Sequence, residues 1–423
     1  MHKHGLRERL TGGAPIFPLA VLFGLNITDE LDTLAFQALT PEIRDAFGLS
    51  NSQIIAMGTI LGISLMLGSV PSGFLGDRAN RVRLASCAAL LWGVAGAFTG
   101  LAATFTVFVL LRIVAAVARV SNEPIHSSLL ADFYPPRRLP GIFFVHRLAN
   151  PSAAAAGVLI GWLGSTYGWQ LTFVLISLPT FVIALLGLRL SEPVRGGTMG
   201  IKTATPAVGF REACRQLFAV RTLRGLWVGA LLLGMLIIPL RQLQSLLFEQ
   251  RFGYGPVGRG TILALGGFGL IAGIIVGGYL AERAVSRGNI RGLGFVVGAT
   301  IAIVALTQSG MVVMPWESLV LVVKFINAAV IGAYQPAFYT LVSYVSPPNV
   351  RSQAYAWAYG LSGAGGVLSL GITTFTAPLG AGTSLLALSG FAALAGAAIL
   401  RSTRHINEDQ IVPTLRQEEI SLR

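Results

Sequence analysis

The chain has 423 residues, of which 53% are hydrophobic and 12% charged, and its mean hydropathy is +0.70. Soluble domains carry about 25% charged residues, so there is too little polar surface here to coat a soluble globular enzyme, and the composition defines a polytopic helical membrane protein. A net charge of +13 in a soluble chain would suggest nucleic acid, but these cations sit in short loops between apolar runs, which excludes that partner.

Apolar runs of about 20 residues cross a bilayer, and the chain is expected to contain twelve. In order they cover roughly 16–38, 52–76, 83–104, 105–131, 140–165 and 170–190, then 222–248, 259–281, 291–312, 316–345, 351–378 and 383–400. The first fifteen residues are polar and basic, and the run after them is long enough to span, so it reads as a retained helix. The organisation expected is a first six-helix half over 1–190, a linker over 191–221, a second half over 222–400 and a tail over 401–423. Within the linker, 208–219 places Phe210, Leu217 and Phe218 among Arg211, Glu212 and Arg215, the pattern of an amphipathic surface helix. Neither Cys87, in an apolar run, nor Cys214, in the linker, is expected to form a structural disulfide.

Loop charges set the orientation. With both termini cytoplasmic, 23 of the 31 Lys and Arg fall on the inside and three, Arg44, Arg251 and Arg259, on the outside. The expected location is the cell membrane, with both termini and the linker in the cytoplasm.

Charges inside the spans are few, and a charge at the bilayer centre costs at least ~2.5–3.5 kcal/mol. The first span holds Asp29, Glu30 and Asp32, the fourth Arg112, Arg119 and Glu123, the seventh Arg241 and the tenth Lys324. The other eight are nearly uncharged apart from His146 and Arg147 in the fifth, whose adjacency reads as an end-of-helix placement. Asp29 and Asp32 are three apart and share a helix face, while Glu30 points about 100° away. Clustered carboxylates raise one another's pKa, so Asp29, Glu30, Asp32 and Glu123 are the candidate proton carriers. Arg112 and Arg119 are placed to restore the ionised form. His126, one turn past Glu123, and His146 are secondary relay candidates. Tyr334 and Gln335, with Phe338, Tyr339, Tyr355, Trp357, Tyr359, Gln242 and Gln244, offer an aromatic and amide lining suited to an amphipathic ligand.

The halves repeat. Gly73-Phe-Leu-Gly-Asp77-Arg78 recurs as Gly278-Tyr-Leu-Ala-Glu282-Arg283, 205 positions later. Glu123-Pro124 and Pro135-Pro136 recur as Gln335-Pro336 and Pro347-Pro348, 212 positions later. A 6+6 duplication with a long central connection is the layout of an alternating-access transporter. In the loop after the second span, an acid at Asp77 can pair with an arginine or cap a helix N-terminus of the other half. Gly73, Asp77, Arg78 and Arg81 are therefore the expected cytoplasmic gate.

The stretch from Gly73 to Arg83 resembles the loop between helices 2 and 3 of the major facilitator superfamily, and the duplication extends the resemblance to the whole chain. Gly-Phe-Leu-Gly-Asp-Arg-Ala-Asn-Arg, Asn26-Ile-Thr-Asp29 and Ala131-Asp132-Phe133 are most similar to the spinster-type branch, with Glu30 standing where that branch usually has Arg. The resemblance implies an all-α fold whose helices 1, 4, 7 and 10 line the cavity, so that Arg112, Arg119, Arg241, Lys324, Tyr334 and Gln335 meet the substrate. The expected function is secondary active transport of a small amphipathic molecule or lipid, coupled to protons. The alternatives are an uncoupled facilitator or a drug or metabolite efflux antiporter. No Walker motif, His-Glu-x-x-His or cysteine cluster is present in the sequence, so neither a cofactor nor a metal is expected, and the protein is not read as an enzyme. Its expected partners are the substrate, protons and membrane lipids, and it is expected to be a monomer.

Overall fold

The computed structural model describes residues 10–49, 51–155, 157–199, 208–254, 256–376 and 379–411. Among these, the regular elements are all helical. The first span is Phe17–Ala38, the second Asn51–Arg78 and the third Arg81–Thr99. The fourth consists of Phe105–Arg119 and Asn122–Phe133. The fifth begins as Leu139–Arg147 and Ala149–Ala155 and continues into Gly157–Gly187, which also contains the sixth. Gly168, at φ 80° and ψ 164°, makes the turn between them, a conformation that L side chains resist. In the second half the spans are Arg221–Phe252, Pro256–Ser286, Ile290–Val313, Glu317–Val345, Arg351–Thr376 and Ala381–Ser402.

Eight of the described helices are long and apolar enough to cross a membrane on composition alone. They are the third, fourth, sixth to tenth and twelfth spans, while the first carries three acids, Asp29, Glu30 and Asp32. The fourth span breaks at Val120 and Ser121. Pro124 explains the break, because its ring meets the carbonyl four residues earlier and it offers no N–H to that carbonyl.

Packing follows the repeat. The sixth span lies against the first and third, and the twelfth against the seventh and ninth. Between halves, the eleventh span packs on the second and fourth, and the fifth on the eighth and tenth. Glycine allows the approach. A Cβ on Gly73 would come within 2.4 Å of Ala356 Cβ, and one on the repeat-related Gly278 within 3.1 Å of Phe144. Small residues serve this purpose where helix backbones must nearly touch.

Gly12 lies against Pro135 and Arg138, and the Ile411 amide donates to the Tyr344 carbonyl. Both ends of the described chain therefore share one end of the bundle with the linker, called here the linker end. The linker helix, Phe210–Ala219, buries Ala213 and Leu217. Phe210 packs edge-on against Phe74 of the first half at 5.3 Å, and Phe218 against Trp227 and Trp357 of the second half at 5.0 and 5.4 Å. The amphipathic pattern is thus used to bridge the two halves.

Candidate functional site

Two buried ionic clusters lie at the centre of the bundle. In the first, Asp29 and Asp32 leave one face of the first span and meet two arginines seven residues apart on the fourth. Arg112 Nη1 donates to both oxygens of Asp32 at 2.9–3.0 Å, and Arg119 Nη1 donates to the same carboxylate. Arg112 is also held against the rings of Phe36 and Phe173, 5.2 and 5.5 Å from their centroids. Asp29 lies 3.4 Å from Arg119 Nε and accepts from Asn122 Nδ2 at 3.1 Å. With two acids and two bases the cluster is neutral, which makes its burial affordable. Glu30 points elsewhere, as the helix period requires, and accepts from Asn150 of the fifth span at 2.6 Å.

The second cluster overturns the end-of-helix placement expected for His146 and Arg147. Both are at least 97% buried, because the fifth span is inserted between the first, eighth and tenth. Arg147 grips Glu123 with both terminal nitrogens, at 2.6 and 2.9 Å. Its guanidinium lies 4.4 Å above the Tyr339 ring of the second half, and Nη1 also reaches the Tyr339 hydroxyl at 3.3 Å. Tyr339 and Tyr359 are in hydroxyl contact at 3.3 Å. Arg147 Nη2 is 2.8 Å from His146 Nδ1, and the His146 ring meets that of His126 edge-on at 5.8 Å. Asp29 and Glu123 are therefore not joined to each other, since each has its own arginine. The side chain of Asp29 is 22% exposed and that of Glu123 12%, against 8% for Asp32.

In the second half, Lys324 Nζ donates to Gln244 Oε1 at 2.5 Å, and Gln244 Nε2 donates to Gln308 at 3.0 Å. The 212-residue offset of the repeat maps Asp32 onto Gln244 and Arg112 onto Lys324, so this contact repeats the Asp32–Arg112 pair with an amide in place of the acid. Tyr334 and Gln335 are half-buried. The side chains of Arg241 and Gln242 lie outside the described residues.

At the linker end, Asp77 accepts from the backbone N–H groups of Ser352 and Gln353 at 2.8 and 3.0 Å. It thus caps the N-terminus of the eleventh span from across the interface, one of the two roles expected of it. It does not pair with its neighbouring arginines. Arg78 is exposed, stacks over Phe74 at 4.4 Å and donates to the Val208 carbonyl at 2.7 Å. Arg81 is fully buried and donates to Asp132 at 2.5 Å and Glu192 at 2.7 Å. Arg351 of the second half donates to the other oxygen of Asp132 at 2.5 Å, and Arg195 of the linker donates to the carbonyls of Gly76 and Ala79. Asp77, Asp132 and the linker together tie the halves shut at this end.

Arg147, Asp132, Arg351, Glu192 and Arg195 were not among the expected site residues. Arg147 carried a signal, as an arginine several residues inside an apolar run outside helices 1, 4, 7 and 10, whereas Arg351 reads from sequence as one more loop cation. Twelve helices in two halves, with paired charges between them and a charged clasp at one end, form the helical membrane-protein layout expected from the sequence.

Residues 22–370 match the profile of the Major Facilitator Superfamily, and the chain belongs to that superfamily. It is 24% identical over 398 residues to a probable 4-methylmuconolactone transporter of Cupriavidus pinatubonensis, covering 90% of each chain. It is 23% identical over 196 residues to the cis,cis-muconate transport protein of Acinetobacter baylyi, covering 46% of this chain and 47% of that one. With the protein spinster of Drosophila melanogaster it shares 23% over 195 residues, or 45% and 32% of the two chains. The last two matches thus span less than half the length of those relatives. Among solved structures, a human organic anion transporter superposes with a TM-score of 0.73 at 15% identity, over 94% of this chain and 100% of that one. A bacterial homologue of the lysosomal transporter spinster, inward-facing, gives 0.57 at 21%, over 94% and 98%. These superpositions show the shared fold.

Proposed function

We propose that the protein is a proton-coupled secondary transporter of a small amphipathic molecule, working by alternating access with its linker end in the cytoplasm of a cell membrane. The observation that carries this reading is the pairing of Asp29 with Arg119 and of Glu123 with Arg147. Each is a buried acid, on the first and fourth spans, held by an arginine yet still partly exposed. Protonation neutralises the acid and weakens its contact with arginine. For Glu123 it also loosens the hold on Arg147, which contacts Tyr339 across the interface, so that proton binding changes what holds the halves together. Asp32, gripped by two arginines, is the structural member of its cluster. Asp77, Gly73, Arg81 and the exposed Arg78 form the cytoplasmic gate, and the halves on either side of the 191–221 linker rock about it. The name of a sphingosine-1-phosphate transporter of Danio rerio, 24% identical over 43% of this chain and 37% of that one, supports an amphipathic cargo, and the names of the muconate and probable methylmuconolactone transporters support a small organic one.

The test is flux in proteoliposomes across a set of such molecules, with an internal pH dye. An imposed proton gradient should drive accumulation in the wild type. In Glu123→Gln, and separately in Asp29→Asn, accumulation should cease, while exchange at equal pH persists in at least one. A Glu123→Gln protein that still accumulates substrate along a proton gradient would sink the reading.

A further inference from the structure

We propose that Arg147 binds the acid group of an organic anion, and that Glu123 and this anion alternate on its guanidinium. A proton on Glu123 and an anion on Arg147 are then loaded together. The inference rests on the proton-coupled reading above and adds the substrate class and the residue that holds it.

Arg147 is built as a receptor for a planar acid. One face is fixed on the Tyr339 ring at 4.4 Å, and its terminal nitrogens grip Glu123 in the two-pronged geometry with which arginine recognises carboxylate or phosphate. Its Nε–H is buried with no acceptor among the described residues, so one donor of the fork is unused in this state. Glu123 thus occupies the position a substrate acid would take. Two anions cannot share one guanidinium at low dielectric without repulsion, so the substrate enters when Glu123 gives up its charge. Glu123 carboxylate takes a proton and becomes the neutral acid, Arg147 keeps its charge throughout, and the incoming anion replaces the lost negative charge. With one acid group of the substrate on Arg147 the ion pair is neutral before and after, which permits both states to be buried.

The titratable groups around the pair do not supply that negative charge. His126 lies on the same helix as Glu123, His146 on the fifth span, Tyr334 and Tyr339 on the tenth, and Tyr355 and Tyr359 on the eleventh. The first span presents Glu30 through Asn150. Phe143, at 5.5 Å from Tyr339, and Phe338, at 5.4 Å, extend the aromatic surface, which fits the apolar body of an amphipathic anion.

The experiment measures thermal stabilisation of the purified protein by benzoate, cis,cis-muconate and octyl phosphate, each against its neutral methyl ester, at pH 5.5 and 8. Apparent affinity for at least one anion should rise fivefold or more on acidification in the wild type. In Glu123→Gln, which mimics the protonated acid, it should be tight and independent of pH. In Glu123→Gln combined with Arg147→Met it should fall at least tenfold; this pair removes both charges together, so folding is preserved, and it differs from Glu123→Gln only at the guanidinium. Equal binding of the esters, survival of binding without Arg147, or no anion binding to Glu123→Gln would each overturn the proposal. Anion binding that survives loss of Arg147, in a protein whose proton-driven accumulation is abolished by Glu123→Gln, refutes this inference alone; accumulation that persists in Glu123→Gln refutes the coupling reading itself.

Discussion

Replacing Asp77 by asparagine keeps the shape of the side chain and removes its charge. In the closed linker end the carboxylate is 3% exposed and accepts two backbone N–H bonds at the first turn of the eleventh span. An amide keeps one acceptor and turns the other atom into a donor facing a donor. One charge-assisted hydrogen bond is lost, about 1.5–3 kcal/mol, and with it the attraction to the helix N-terminus, about 0.3–1 kcal/mol. The closed linker end should weaken by about 2–4 kcal/mol, which moves the ratio of open to closed roughly 30- to 900-fold. Spin labels at positions 83 and 287, exposed on opposite halves at that end, report the change once Cys87 and Cys214 are replaced by serine. Asp77→Asn should add or enlarge a long-distance population and slow transport while expression persists. A distance distribution and a transport rate both identical to the wild type would show that Asp77 marks the loop without holding it.

Other outcomes follow from the same contacts. Asp32→Asn leaves Arg112 and Arg119 buried without their shared acid, so thermal or denaturant unfolding should show a loss of about 3–5 kcal/mol, more than Asp29→Asn produces; the reverse order would contradict the assignment of Asp32 as the structural member. Gly73→Ala places a methyl 2.4 Å from Ala356 Cβ, so it should push the second and eleventh spans apart and favour the open linker end, as read by the same spin labels. Burial pushes the Cys214 thiol up, and since the thiolate is the reactive form, maleimide labelling should be slower at neutral pH than for a free thiol and accelerate as pH rises. In a Cys87→Ser background an impermeant reagent should label Cys214 in inside-out vesicles but not in intact cells, and labelling in intact cells would reverse the topology.

What the sequence by itself determined are the properties that act locally. Apolar length marks a span wherever it occurs, so the twelve runs and the 6+6 repeat were legible without contacts. The cost of charge in a bilayer singled out Asp29, Asp32, Glu123, Arg112 and Arg119, and helix period separated Glu30 from its neighbours. Pairing is another matter. That Asp32 takes both arginines while Asp29 takes one arginine and an asparagine depends on how far the first and fourth helices slide past each other. Asp132 and Arg351 stand 219 positions apart, and no spacing rule relates them. Arg147 looked like a helix-end cation because position in a span is read from the ends, whereas its depth is set by the wedging of the fifth span against the eighth and tenth. A buried charge is stable only beside its partner, and the partner is supplied by another helix, so only the tertiary structure could decide which acid each arginine holds.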